Sequence, residues 1–251
     1  MKVTQGKRVS YNSYQEYYLH QARRSNPHDN NRLVTGRNAE ILHFLMFGGT
    51  LAHTEPLVKR ADPNFPSDVK FLDVGCRDGW SLDYLRKGCP KGFTLFRPKK
   101  RFKNTCGLEL VHKTVEHAVR RGRNVIQGDI RCVIIAEDAF DIIYTRHCLE
   151  HLDDPLQGLK NITKMLKPGG TLLAIVPMEE KDIDPDKSSH SYLFRNDNEL
   201  ADMSLRAGLT VTSRFTRKAY SYKKRKYWYK LTARLRHWGP ELWVFATKSI
   251  R

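Results

Sequence analysis

The stretch Phe71–Leu72–Asp73–Val74–Gly75–Cys76–Arg77–Asp78–Gly79–Trp80 decides the fold. Val69 to Val74 is an apolar run broken by one acid, the pattern of a buried parallel strand that ends at a ligand site. Glycines follow at 75 and 79, and Ser81–Leu82–Asp83–Tyr84–Leu85–Arg86–Lys87 then reads as a helix. Strand, glycine turn and helix in that order make the nucleotide crevice of an open α/β sheet, at the carboxyl ends of its strands. Glycine there lets the backbone approach a ligand that a Cβ would obstruct.

The turn reads D-x-G-x-R-x-G, so it is not the G-x-G-x-x-G of a dinucleotide site, and no Gly-Lys-Ser/Thr follows to make a P-loop. An acid followed by spaced glycines, here Asp73, Gly75 and Gly79, resembles the first motif of the class I methyltransferases that use S-adenosylmethionine (SAM). Arg77 departs from that motif by standing where a middle glycine is usual.

Downstream the chain alternates strands and helices. Thr105 to Leu110 reads as a second strand with Glu109 at its carboxyl end, Val111 to Arg121 as a helix, and Asn124 to Ile130 as a third strand carrying Asp129. A carboxylate at the second strand's end can accept both ribose hydroxyls of a nucleotide. Phe140–Asp141–Ile142–Ile143–Tyr144 is a fourth strand, running on into Thr145–Arg146–His147–Cys148–Leu149–Glu150–His151–Leu152. Asp153–Asp154–Pro155 opens a helix that Lys167–Pro168–Gly169–Gly170 stops, and Thr171 to Pro177 is a fifth strand. F-D-I-I-Y, L-E-H-L, D-D-P and L-K-P-G-G resemble the large SAM-dependent subfamily that includes many small-molecule and glycan methyltransferases. With the glycine turn, the resemblance covers residues 69–177. Asn198 to Ala207 reads as a helix, Leu209 to Thr212 as a sixth strand and Pro240 to Thr247 as a seventh, which the family inserts antiparallel.

The resemblance implies an α/β, Rossmann-like, seven-stranded, mostly parallel sheet with helices on both faces. It also implies SAM as cofactor, held by a set drawn from Asp73, Gly75, Cys76, Arg77, Gly79, Glu109, Leu110, Asp129, Ile130 and Arg146. In this family Asp129 stands where the adenine amino group is recognised. Residues 1–68 read as an N-terminal helical cap, with Tyr11, Tyr14, Tyr17 and Tyr18 at near-helical spacing and a second helix over Ala39 to Phe47. Residues 69–251 form the methyltransferase domain.

Methyl transfer from a sulfonium is an in-line displacement whose leaving group departs neutral, so positioning supplies much of the rate. A general base helps where the acceptor is a hydroxyl or a protonated amine. His147, just beyond the fourth strand, is the candidate catalytic residue, weighed against a histidine that merely packs beside the cofactor. Glu150 and His151 belong to L-E-H-L and read first as structural, and His190 is a weaker substrate-side candidate. No Asp/Asn-Pro-Pro-Tyr follows the fourth strand and Pro-Cys is absent, which sets aside two kinds of base methylation. No histidine and carboxylate spacing suggests a metal site, and no metal is expected.

The formal net charge of the 251 residues is +17, which favours an anionic partner. Residues 97–103 form a basic loop, and residues 214–236 hold ten lysines and arginines, no acid, and interleaved Phe215, Tyr220, Tyr222, Tyr227, Trp228 and Tyr229. Phosphates and exposed bases suit that mixture, so RNA is the expected partner through both segments. Trp228, Leu231, Leu235 and Trp238 also share one helical face, which keeps an anionic membrane surface open. Five cysteines without C-x-x-C spacing and an N-terminus lacking an apolar core point to a cytoplasmic protein with reduced thiols. Three functions remain: an O- or N-methyltransferase acting on RNA, one acting on a small molecule or membrane-held glycan, and a methyltransferase-like binding subunit of a nucleoprotein assembly.

Overall fold

A computed structural model describes residues 69–87, 102–179, 182, 190–217 and 240–250. The N-terminal cap expected over 1–68, the basic loop up to residue 101 and the basic segment from 218 to 236 lie outside the described residues.

Within them the chain runs β1 (Lys70–Val74), α1 (Trp80–Lys87), β2 (Asn104–Glu109), α2 (His112–Arg120), β3 (Val125–Gln127), β4 (Phe140–Arg146), a 3-10 turn (Leu149–His151), α3 (Pro155–Met165), β5 (Leu166–Pro177), α4 (Asp197–Arg206), β6 (Leu209–Arg217) and β7 (Glu241–Lys248). These strands form one seven-stranded sheet in the order β3-β2-β1-β4-β5-β7-β6. All pairs are parallel except those of β7, which runs antiparallel to both β5 and β6. The chain moves outward from β1 to β3 and then returns to place β4 on the other side of β1. The crevice of an open α/β sheet forms at that reversal.

Both faces of the sheet are covered, as its apolar alternation requires. Leu72, Val74, Leu108, Ile143, Leu172, Ala174, Leu242 and Val244 face one way and pack with Leu159 and Ile162 of α3 and Leu200 of α4. Phe71, Ile142, Tyr144, Leu173, Ile175, Trp243 and Phe245 face the other way, beside Leu85 of α1 and Phe102. α3 begins where Asp154 accepts the Gln157 N–H at 3.2 Å, with Pro155 in its first turn, and buries Gly158, Leu159, Ile162 and Met165 at helical spacing. α4 is capped likewise by Asn196, which accepts from Glu199 N–H at 3.2 Å.

Three expected boundaries change. β3 is shorter than Asn124 to Ile130, because after Gln127 the chain turns: Cys132 and Val133 N–H both donate to Asp129 O, at 2.9 and 2.8 Å. Lys167–Pro168–Gly169–Gly170 follows the end of α3 at Met165, as expected, but belongs to β5 instead of preceding it, since Phe140 pairs with Leu166 and Ile142 with Thr171. The extra residues form a bulge that Gly169, at φ +77°, can adopt. β6 continues to Arg217, so the basic segment begins inside a strand whose residues Thr212 to Thr216 are exposed. No helix among the described residues is long and apolar enough to cross a membrane.

Candidate active site

β1 and β4 are neighbours, and their carboxyl ends meet closely. A Cβ on Gly75 would lie 2.7 Å from Cys148 Cβ, so only glycine fits where the two following loops touch. Gly75 is also at φ +77° and Gly79 at φ +71°, conformations that glycine takes without steric cost. The turn is fastened to β2, with Gly75 and Cys76 N–H both donating to Leu108 O, at 2.8 and 3.2 Å. Arg77 also adopts a left-handed conformation, at φ +53°, which costs a non-glycine residue roughly 1–2 kcal/mol. Arg77 takes the backbone shape that a glycine would. Its N–H donates to Glu109 Oε2 at 2.8 Å. Arg123 braces the same turn from the far side, with Nε 2.8 Å from Asp83 Oδ2 and Nη1 3.1 Å from Asp78 Oδ2.

The three acids singled out in the sequence fall at the carboxyl edge of the sheet. Asp73 is buried in β1 and meets the Ser81 hydroxyl, which donates to Oδ2 from the start of α1. Burial raises its carboxyl to about 7, the Ser81 hydrogen bond opposing the shift and the nearby Glu109 charge adding to it. Glu109 closes β2 and accepts two backbone N–H groups, Arg77 on Oε2 and Val111 on Oε1 at 3.0 Å. Burial pushes its carboxyl up, and those two hydrogen bonds pull it back. Asp129 sits two residues beyond β3 and is engaged by Arg131, whose N–H reaches Oδ1 at 2.8 Å and whose Nη2 reaches Oδ2 at 2.6 Å. Arg131 pairs with Asp153 as well. Asn161 of α3 fixes this turn by donating to Ile130 O at 2.8 Å and Arg131 O at 2.9 Å.

The other expected cofactor residues are backbone or packing positions. Cys76 is buried against Leu82, Val115 and Ala118, and Ile130 is buried in the main core, with Leu110 packed against it. Burial pushes the Cys76 thiol well up. Among the described residues Cys76, Cys106, Cys132 and Cys148 carry free thiols.

On the β4 side, the fold assembles a cluster that the sequence did not announce. Arg146 ends β4 and His147 follows at φ +51°. Both side chains converge on Glu241, the first residue of β7: Arg146 Nη2 is 2.6 Å and His147 Nε2 is 2.9 Å from Glu241 Oε1. Burial would raise the Glu241 carboxyl, but the His147 hydrogen bond and the Arg146 charge outweigh it and hold the group down at about 2. Glu241 is thus a carboxylate that only accepts, so the proton of that bond is on His147 Nε2. In the neutral ring the basic lone pair is then on Nδ1.

A family profile described as a methyltransferase domain matches residues 46–221. The chain belongs to the class I SAM-dependent methyltransferases. It is 23% identical over 166 residues to a malonyl-[acyl-carrier protein] O-methyltransferase of Hahella chejuensis, covering 62% of this chain and 55% of that one. It therefore spans about half the length of that curated relative. Among solved structures, a SAM-dependent methyltransferase of Thermotoga maritima superposes with a TM-score of 0.60 at 17% identity, covering 93% of this chain and 100% of the other. A phosphoethanolamine N-methyltransferase of Haemonchus contortus in complex with SAM gives 0.54 at 15% identity, with 79% and 52% covered. At these identities the two superpositions speak for the fold.

The acceptor-rich crevice suits the cofactor of the family. SAM offers an α-ammonium, a ribose diol and an adenine amino group as donors, and the crevice offers the carboxylates of Asp73, Glu109 and Asp129. Among the described residues Asp73 meets a hydroxyl and no cation. A pH dependence follows. With a folded value of about 7 against about 4 in the unfolded chain, Asp73 stabilises the ligand-free fold only while protonated. That stability is full below about pH 4 and is lost as pH rises to about 7. Ligand-free Tm is expected to fall across this window by an amount that Asp73→Asn removes. S-adenosylhomocysteine, whose ammonium favours the ionised acid, is expected to bind with proton release below pH 7, read as a buffer-dependent heat of binding.

Proposed function

We propose that this chain is an active methyltransferase acting at oxygen or nitrogen, with His147 as general base and Glu241 as the group that orients it. The observation that supports this most is the His147–Glu241 hydrogen bond at 2.9 Å, made at the carboxyl end of the strand beside the glycine turn. A carboxylate held ionised beside a histidine fixes its tautomer and stabilises the ring once it takes a proton, the arrangement that hydrolytic triads also use. Asp73 and Glu109 would hold SAM by its ammonium and ribose, Asp129 and Ile130 its adenine, and Gly75 and Gly79 leave room for it. Bound there, SAM supplies an electrophilic methyl group on a sulfonium. His147 Nδ1 would take the acceptor's proton, and the Glu241 carboxylate at Nε2 would stabilise the imidazolium that results.

The acceptor we assign is RNA. The net charge of +17 and the ten basic residues without an acid over 214–236 support it. So does the exposure of Arg214 and Phe215 on the edge strand β6, where Phe215 stacks on Trp243 with ring centroids 5.5 Å apart. The Hahella relative, a malonyl-[acyl-carrier protein] O-methyltransferase, favours a second reading, an acceptor carried on a protein or a small molecule. Methyl transfer from labelled SAM to total RNA, to small-molecule extracts and to anionic liposomes separates them. RNA is expected to be labelled, and its binding to weaken by about a thousandfold between 50 and 200 mM salt if six or more phosphates are contacted. Label confined to small molecules or lipid would overturn the RNA assignment. RNA binding without turnover on any acceptor would support the binding-subunit reading instead.

A further inference from the structure

We propose that Glu150, His151 and His190 form a binding site for one divalent transition-metal cation at the acceptor side of the crevice. Glu150 lies in the 3-10 turn after β4 and is wholly buried, and neither of its carboxylate oxygens meets a hydrogen-bond donor among the described residues. Leaving a buried carboxylate without donors is costly, and native proteins rarely do so without a reason such as a missing ion. The two nearest imidazoles approach without closing the gap. His147 Nδ1 stands 3.7 Å and His151 Nε2 3.8 Å from Glu150 Oε1, beyond hydrogen-bond length.

The backbone brings the third ligand in from a distant part of the chain. Glu150 O accepts Ser191 N–H at 2.8 Å and Tyr192 N–H at 2.9 Å, which draws His190 up against the turn. The His151 and His190 rings then meet edge to face, with centroids 5.1 Å apart. One Glu150 oxygen and one ring nitrogen from each histidine lie within 4.8 Å of one another. Metal bonds of about 2.1 Å place donor atoms about 3–4 Å apart, so side-chain adjustment closes the set around an ion. His190 also carries the outer partner that metal-ligating histidines usually have: its Nδ1 is 2.7 Å from Glu179 Oε1. A carboxylate accepting at Nδ1 leaves Nε2 with the lone pair for a cation.

One carboxylate and two imidazoles suit Zn2+, Mn2+ or Co2+ better than Mg2+, which prefers an all-oxygen shell. Three protein ligands leave a coordination position open. That position would take an oxygen of the acceptor beside His147. This role rests on the methyl-transfer reading, whereas cation binding itself does not.

The test is titration of the chelator-stripped full chain with Co2+ and Zn2+, followed by calorimetry and by the visible ligand-field absorption of Co2+. One ion per chain is expected, with a metal-induced rise in Tm. Affinity should fall at least a hundredfold in Glu150→Gln and in His190→Ala, and Mg2+ should compete poorly. Should Glu150→Gln fail to fold, His151→Ala joins His190→Ala in carrying the comparison. No saturable uptake, or uptake that both histidine variants leave unchanged, would overturn the site. S-adenosylhomocysteine binding, measured in parallel without metal, reports separately on the cofactor crevice.

Discussion

His147→Ala is expected to lower kcat by about 10²–10⁴-fold, the range for loss of a positioned general base, while leaving S-adenosylhomocysteine affinity nearly unchanged. The histidine contacts Glu241 across the sheet end. Glu241→Gln removes the charge that fixes the ring but keeps most of the volume, and its kcat should fall along with that of His147→Ala. The double variant should be little worse than either single one, because both disable the same unit. Additive losses would mean that Glu241 acts on something other than His147. Stability splits the two differently. Glu241 also takes both Nε and Nη2 of Arg146, whose side chain is only 12% exposed. Uncovering a buried cation in this way typically costs about 3–5 kcal/mol. Glu241→Ala should therefore unfold at a markedly lower denaturant midpoint, while His147→Ala should not.

The second large effect concerns the cofactor end of the crevice. Glu109→Ala should weaken S-adenosylhomocysteine binding by at least about a hundredfold, since each hydrogen bond to a charged group is worth roughly 1.5–3 kcal/mol. The carboxylate has two tasks. Its oxygens already accept Arg77 and Val111 N–H, at 2.8 and 3.0 Å, which ties the glycine turn to the start of α2. Each oxygen keeps a further lone pair for a ribose hydroxyl. Glu109→Gln should recover little of the loss, because the amide NH2 would face one of those two backbone N–H groups, donor against donor. Binding of the Gln variant within a few-fold of wild type would show that the ribose is not held there.

Much of this was legible because it is local. The apolar run before Gly75, the spaced glycines and the acids near three strand ends are short-range patterns, and the sheet order follows from the family they resemble. Arg77 was the one discordant letter. A left-handed backbone resolves it, since the turn needs that conformation and a main-chain N–H for Glu109, and Arg77 supplies both at a conformational cost. The K-P-G-G run did mark the helix end, which falls at Met165, but it also carries the bulged start of β5, which only the Phe140–Leu166 pairing shows. Glu241 was illegible for a different reason. It stands 94 residues from His147, at the head of a strand whose next five residues are all buried, and nothing in its neighbourhood marks it as more than a strand-end acid. His190 joins Glu150 and His151 through two backbone hydrogen bonds that leave no spacing pattern to read. Arg131 on Asp129 was equally hidden, although a basic residue two positions after a strand-end acid is a signal that could have been weighed.

The measurement that bears most directly on the account is calorimetric titration of the full chain with S-adenosylhomocysteine. One saturable site in the micromolar range is expected, with proton release below pH 7 and near-complete loss in Glu109→Ala. No saturable heat at any pH, or an unchanged isotherm in the variant, would contradict it.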